Sequence, residues 1–558
     1  MNVCDYIVNT LLLNDIDTYF IVTGGSIVPF INAISKNPKT KYICCQHEQG
    51  ASMAAEGYYR GCGKIAGVCV TSGPGVQNIL NGVCGCWYDS IPALFITGQV
   101  STNDDLSNLK SKPRQAGFQE MPVCKMFEGV TKYSAHVSNQ SEIYTTLKKV
   151  ITELKTPRFG PVLLDLPVNV QMSQIENIEP VHMEPIVTPD IVYDISQDLQ
   201  DIERPVIIFG HGVKLSGATK QALDFVKKTG IPFVVSWGAY DMCETTHPLR
   251  IGSPGVYGDR CANYAVQNAD LIISIGSRLD SRQIGGNGST FSPKSRKVMI
   301  DIDKHEIGKM HEKGVNIDTH FVANASDFFA RVNLGECKDF TKWNKIINKW
   351  KIVYGMEKER KNDPVVYEYL ETFFENLPEN VIVIPDIGSN LAWTMQSAKL
   401  TKTQKLFTNL GNASMGISIP CAIGACIGTG KDVYVIVGDG GLQMNIQELQ
   451  TIKTYNLPIH IIVLDNGGYG MIKQFQDNYF QSRYCATSRG DIYNGFVDVA
   501  KIAQAYKIPN FKHVIIPETQ RIYPKLMFGD SLENMTPYID FEHDMIVPVP
   551  HRKKLGWN

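Results

Sequence analysis

The sequence predicts an α/β protein of three doubly wound parallel-sheet domains, and three observations carry that expectation. Short Val/Ile-rich runs such as "RPVIIFGHG", "VYVIVGDG" and "PIHIIVLDN" alternate with longer amphipathic stretches, the pattern of parallel sheets covered by helices. Several of these runs stop in Gly-rich turn chemistry. The chain has 558 residues, too many for one compact core when domains average roughly 150 residues.

The elements fall into blocks in chain order. Residues 1–170 form the first, with "IAGVCVTSGPG" and "IPALFITGQV" as strands that run into turns. The polar, Pro-bearing "VQMSQIENIEPVHMEPIVTPDI" reads as a linker. A second block covers 186–335, with strands at "RPVIIFGHG", "IPFVVSW", "ADLIISIGSRLD" and "KVMIDID". A charged helical connector, "DFTKWNKIINKWKIVYGMEKERK", leads to a third block over 362–558. Its end, after about residue 515, has turn residues and weak periodicity, and is expected to wrap an existing surface.

Composition sets outer limits. Hydrophobic content of 43% and charged content of 20% fit a soluble globular protein. A formal charge of −2 argues against general nucleic-acid binding, which needs a basic face. The start, "MNVCDYIVNTLLLNDIDTYF", lacks a basic end followed by an apolar block, and no run is long and apolar enough to span a membrane, so a cytoplasmic protein is expected. The 14 cysteines show no zinc-site spacing and are expected as free, mostly buried thiols.

Chemistry concentrates at two strand ends. One strand stops at Gly438-Asp439-Gly440 and the next at Asp465-Asn466-Gly467-Gly468. In an open parallel sheet, ligands bind outside the carboxyl ends of strands, where helix N-termini present free N–H groups to anions. Leu442, Ile446, Leu449, Ile452 and Tyr455 share one helical face, so a helix is expected to follow Asp439 and pack on the sheet. Asp439 and Asn466 then offer oxygens of the kind Mg²⁺ or Ca²⁺ prefers, a carbonyl near Gly468 adds a third, and a diphosphate would complete the shell.

This segment resembles the diphosphate-and-metal motif of thiamine diphosphate enzymes. The resemblance implies Asp439, Asn466 and the Gly468 carbonyl as Mg²⁺ ligands, with Gly438, Gly440, Gly441, Tyr469, Gly470, Met471 and Ile472 around the cofactor. "CCQHEQGASMAAEGYYR" is similar to the family's activating motif, which gives Glu48 the proton-relay role. A carboxylic acid there needs a pocket dry enough to disfavour its charge. "TSGPGVQNILNG" implies Gly73, Pro74 and Asn78 near the aminopyrimidine. "GNASMGISIPCAIGA" implies Met415 as the apolar prop under the cofactor, and "DIGSNLAW" transfers Asp386 and Gly388.

Within the superfamily the chain is most similar to acetolactate synthase large subunits and related carboligases. "PRQAGFQEMPVC" matches a segment lining the active site, which makes Phe118 and Gln119 substrate contacts. Gly25, in "VTGGS", and Phe475, in "GYGMIKQFQDNYF", are further substrate contacts. The resemblance implies attack on pyruvate, loss of CO₂ and addition of the remaining two-carbon unit to a second carbonyl, with the cofactor as electron sink. It also implies a homodimer or homotetramer, with Glu48 and the metal site contributed by different subunits. Three features depart from the usual pattern. Phe475 stands where Trp is usual, "VTGGS" replaces a Pro-Gly-Gly run, and Ser389, Asn390 and Leu391 replace Gln/His-type contacts. With "YPKLMFGDSLENMTP", these look similar to relatives associated with sugar and polysaccharide biosynthesis, so a keto-sugar acceptor stands as an alternative. A simple 2-oxoacid decarboxylase or pyruvate oxidase is another. FAD is a separate expectation, with Gly210, Gly212, Arg278, Arg282 and Asp301 as contacts, although the central fold persists in relatives that bind no flavin. Gly210, Gly212 and Gly217 are spaced one position late for the Gly-x-Gly-x-x-Gly fingerprint of an NAD-dependent dehydrogenase.

Overall fold

The computed structural model describes residues 1–538 except 107–108, 112, 177–178, 184–189, 337, 356–363 and 493–497. Three parallel sheets follow one another along the chain. The first holds β1 (Thr18–Ile21), β2 (Lys41–Cys44), β3 (Gly67–Val70), β4 (Leu94–Gln99), β5 (Tyr133–His136) and β6 (Val162–Pro167), in the order β2-β1-β3-β4-β6-β5. A short ribbon pairs β7 (Tyr193–Asp194) with a later strand. The central sheet comprises β8 (Pro205–Phe209), β9 (Phe233–Val235), β10 (Arg250–Gly252), β11 (Leu271–Ile275), β12 (Arg296–Asp301) and β13 (Thr319–Val322), ordered β10-β9-β8-β11-β12-β13. The ribbon closes with β14 (Val332–Asn333). The third sheet has β15 (Ile382–Pro385), β16 (Lys405–Leu406), β17 (Val433–Gly438), β18 (Ile459–Asp465) and β19 (Phe511–Ile515), ordered β16-β15-β17-β18-β19.

Every pairing within these three sheets is parallel. Buried on both faces, the interior strands are near-continuous apolar runs, while the edge strands β2, β13 and β19 are partly exposed. Each sheet has an interior reversal of order, between β1 and β3, between β8 and β11, and between β15 and β17, and the first sheet turns back once more at its edge, where β5 lies outside β6. These reversals leave crevices beyond the strand ends. The first and third sheets thus share the order of their first four strands, a likeness that their letters do not display.

The first and third sheets are joined by helices Glu48–Cys62 and Ser418–Thr429, which cross at backbone distance. A Cβ on Gly57 would lie 2.0 Å from the Cys421 carbonyl oxygen, and one on Gly424 would lie 1.8 Å from that of Ala54. Only glycine fits there. One buried cluster runs through this crossing, from Phe20 and Ile43 to Ile423 and Val435.

Two expectations needed revision. The stretch after Asp439 is not one helix: Asp439–Met444 ends at Asn445 (φ −136°), a 3₁₀ turn follows over Ile446–Glu448, and Leu449–Thr454 resumes. Asn445 is fully buried and donates to the Gly416 carbonyl at 2.9 Å, a tertiary bond that outweighs helical continuation. The connector is part of the central core, since helix Thr341–Val353 buries Trp343, Ile347 and Trp350 on one face. β20 (Lys525–Leu526) pairs antiparallel with β21 (Met535–Thr536), Leu526 and Leu532 enter the central core, and Arg260 donates to the Pro537 carbonyl at 2.7 Å. The described cysteines are all free. Among the described residues no helix is long and apolar enough to cross a membrane.

Candidate active site

At the β1/β3 reversal, four segments meet. Ser26 Oγ lies 2.9 Å from Thr71 Oγ1 and accepts from the Ser72 amide, so the Gly25 turn is stitched to the turn that holds Gly73. Gly73 has φ +62°, and a Cβ on it would meet the Gln119 carbonyl oxygen at 2.9 Å. Gln119 itself is held at φ +64°, an unusual conformation for a non-glycine residue that recurs at functional sites. Its loop is stapled by Glu120, whose carboxylate accepts from the amides of Leu106, Ala116 and Gly117. Phe118 projects at 86% exposure.

Glu48 opens helix Glu48–Cys62, after His47, whose ring caps the Gln49 amide. Its carboxylate, half-buried, accepts from Asn78 Nδ2 at 2.9 Å and faces the Gly75 turn. Pro74 begins the helix containing Asn78. Glu48, Gly73, Asn78, Gln119 and Gly25 therefore share one strand-end crevice. Glu56 belongs elsewhere: fully buried, it pairs with Arg60 at 2.7 Å and accepts from Asn409.

The β15/β17 reversal carries the second constellation. Asp439 and Asn466 are each 6% exposed at adjacent strand ends. Asp465 is turned away, accepting from the Gly467 amide at 3.0 Å and pairing with His513. The close approach of backbone shapes the rest. A Cβ on Gly470 would meet Asn466 Nδ2 at 2.2 Å, and Gly388 (φ +119°) and Gly468 (φ +149°) sit where side chains are strained. Gly438, Gly440 and Gly441 start the helix at Asp439. The Asp439 carboxylate, the Asn466 amide and the Gly468 carbonyl, which accepts from the Gly470 amide at 3.0 Å, are oxygens of the kind Mg²⁺ prefers. Among the described residues there is no cluster of three His, Cys, Asp or Glu able to hold a metal.

Asp386, expected beside the cofactor, braces a turn. Its carboxylate accepts from the amides of Ile387, Gly416 and Ser418 and from the Ser418 hydroxyl at 2.7 Å. Burial raises its pKa, and these bonds pull it back. The side chain is therefore committed to the turn beside Met415, which is half-buried. Beyond the Tyr469 turn, helix Gly470–Tyr479 leaves Ile472 and Phe475 about half exposed while Met471 packs inward. Sequence reasoning missed Lys473, which is 2% exposed and lies 3.2 Å from where a Cβ on Gly468 would stand. It also missed Glu448, which accepts from the amides of Gln46 and His47 and seats the approach to Glu48 on the third module. No local pattern marks either residue.

The β8/β11 reversal opens into a cavity of about 560 Å³. Gly212, Arg278, Arg282 and Asp301 line it, together with His211 and Gln283. Gly210 does not: its Cα packs on Gly276, whose carbonyl oxygen a Cβ would meet at 2.1 Å. Gln283 Nε2 is buried without a partner. Burial pushes Asp301 up to about 6.

Three family models match in chain order. The N-terminal TPP binding domain of thiamine pyrophosphate enzymes covers 1–126, the central domain 193–332 and the C-terminal TPP binding domain 386–526. The chain belongs to the thiamine pyrophosphate enzymes. Curated relatives sharpen this. The acetolactate synthase isozyme 2 large subunit of Escherichia coli is 29% identical over 96% of this chain and 99% of its own length. The Lactococcus lactis acetolactate synthase large subunit is 31% identical over 91% and 87%, and the chloroplastic acetolactate synthase 2 of Nicotiana tabacum 29% over 98% and 82%. The protein is thus a thiamine pyrophosphate-dependent enzyme of the acetolactate synthase type, a carboligase.

Proposed function

We propose that this enzyme is magnesium-dependent, decarboxylates pyruvate and joins the two-carbon remainder to a second 2-oxoacid. What supports the reading is the coincidence of an acid crevice at one strand-order reversal with an oxygen-ligand cradle at another. Asp439, Asn466 and the Gly468 carbonyl hold Mg²⁺, and the glycines around them admit a diphosphate. The cofactor supplies a nucleophilic carbon and an electron sink when bound. Glu48, oriented by Asn78, holds and returns a proton at its carboxylate. Gly73 and Pro74 flank the ring. Asp386 fixes the turn that carries Met415, and Gly25, Phe118, Gln119 and Phe475 wall the substrate chamber. Phe475, smaller than the usual Trp, leaves room for a bulkier acceptor, so a keto-sugar is the second reading. Labelled pyruvate with and without added keto-sugar, analysed by mass spectrometry, separates the two. Product formed from pyruvate alone supports the first, and product only with sugar supports the second.

The same reading has Glu48 serve the metal cradle of a neighbouring subunit in a C₂ pair, with exposed Phe118, Ile472, Phe475 and Phe480 at that boundary. Mixing inactive Glu48→Gln and Asp439→Asn chains tests this. Roughly a quarter of parental activity is expected, because half the pairs are mixed and each keeps one intact site of two. No recovery after verified subunit exchange would overturn it. FAD is the proposed occupant of the central cavity, where Gln283 offers an unused donor and Arg278 and Arg282 face the diphosphate. Release of flavin on denaturing the purified protein checks that assignment.

A further inference from the structure

A second cleft, of about 440 Å³, lies away from all three interior strand-order reversals, between the central sheet and the third module. Its walls combine Tyr240, Arg250 and Asp259 with Lys351 and with Ser397 and Lys399. Among the described residues, two of its cations lack an ion-pair partner. Arg250 is 4% exposed, donates through Nη1 to the carbonyls of Tyr240 at 2.8 Å and Cys243 at 2.9 Å, and stacks on the Tyr240 ring. Neither Arg250 nor Lys351 has a carboxylate within ion-pair distance among the described residues. Among the described residues Lys351 donates to the Pro248 carbonyl alone, at 3.5 Å.

Two of the acids nearby are paired with other lysines, and the third, Asp259, is the carboxylate in the cleft wall. Asp241 pairs with Lys214, Glu244 with Lys402 at 3.6 Å, and Asp259 accepts from the Ser253 amide at 2.7 Å. Lys399 is matched by Glu375 at 3.3 Å. Burial is the first influence on the titrating groups around the cleft. Burial lowers the Lys351 pKa, Cys261 opposes and Arg250 adds to the fall. His247 is lowered by burial first, then by Arg250, Lys351 and Lys402 against Glu244. The C-terminus of helix Ser389–Ser397 offers about half a negative charge, which does not neutralise two cations. Ser397 is 2% exposed, and its hydroxyl has no hydrogen-bond partner.

A buried guanidinium without a counter-ion is costly, and an anion drawn from solution offsets that cost. We infer that this cleft binds a small oxyanion, a carboxylate or phosphate group on a metabolite-sized molecule, held by Arg250 and Lys351 with the Ser397 hydroxyl as a third donor. The volume falls within the range of small-molecule sites, and the Tyr240 ring with Ile251 and Ile352 accommodates a less polar body.

The test uses full-length protein saturated with thiamine diphosphate and Mg²⁺, so that the diphosphate cradle is closed to other anions. Inorganic phosphate and malonate are titrated calorimetrically into the parent, Lys351→Met and Ser397→Ala chains. Arg250 is left intact because its removal would free two backbone carbonyls. Saturable binding of at least one probe is expected, weakened at least tenfold (about 1.4 kcal/mol) by Lys351→Met and roughly threefold by Ser397→Ala. Unchanged melting temperatures of the probe-free variants would show that the fold is intact. Phosphate alone or malonate alone tells which headgroup the cleft prefers, and either supports the inference. Binding by neither probe, or equal binding by well-folded Lys351→Met, overturns it.

Discussion

The β15/β17 crevice and the β8/β11 crevice arise from the same reversal of strand order, yet they treat charge in opposite ways. The first is lined by glycines with one acid and one amide, and its buried Lys473 is already paired with Glu518 at 3.1 Å, so the proposed reading has a divalent cation accompany the phosphate. The second carries its own cations, Arg278 and Arg282, beside His211, which burial and then Arg60, Lys214 and Arg278 hold well below its ordinary pKa. Topology supplies a hole; the residues at its rim decide whether a metal is required.

Removing the acid from the first crevice should have the largest consequence. Asp439→Ala is expected to abolish Mg²⁺-dependent thiamine diphosphate binding and to lower activity by roughly 100-fold or more. Fluorescence titration with and without Mg²⁺ checks it, and Arg282→Ala should leave that titration unchanged. If Arg282→Ala also weakened it, the two crevices would not be independent.

Between them runs a buried network, in which Arg60 pairs with Glu56 and with Asp89 at 2.6 Å, and Asp89 accepts from the amides of Leu410 and Gly411. Arg60→Met strands two buried acids and should cost about 3–5 kcal/mol by urea unfolding. A smaller loss would mean that the crevices are held by packing alone.

Asp301 gives a subtler contrast. Its carboxyl, raised by burial to about 6, binds more protons folded than unfolded between roughly pH 4 and 6. Stability therefore falls as pH rises through that window, by up to about 3 kcal/mol. Asp301→Asn should flatten this part of the pH profile of unfolding, measured without flavin. The smallest effect is expected from Phe475→Trp, a shift in acceptor preference of roughly tenfold or less with pyruvate consumption retained.

Strand-end chemistry was readable because it is local: a strand, a turn and an acid lie within a few letters around Asp439, and likewise around Asn466. The parallel sheets were readable from their continuous apolar runs. What stayed hidden was set by distant partners. The helix break at Asn445 follows from its bond to Gly416, and the brace that Asp386 forms with Gly416 and Ser418 joins residues far apart in the chain. Gly210 and Gly212 look alike in the sequence, but only the second faces the cavity. The positive cleft joins three separated segments, and no stretch of letters hints at it.

The crossing of helices Glu48–Cys62 and Ser418–Thr429 has a mechanical consequence. With main chain resting on main chain at Gly57 and Gly424, no side chain in the joint can change rotamer to absorb movement. The acid at the head of one helix and the methionine turn just ahead of the other are thereby gauged against each other as if by a fixed caliper. A single added methyl at either glycine would mis-set that gauge while every residue that does chemistry stayed in place.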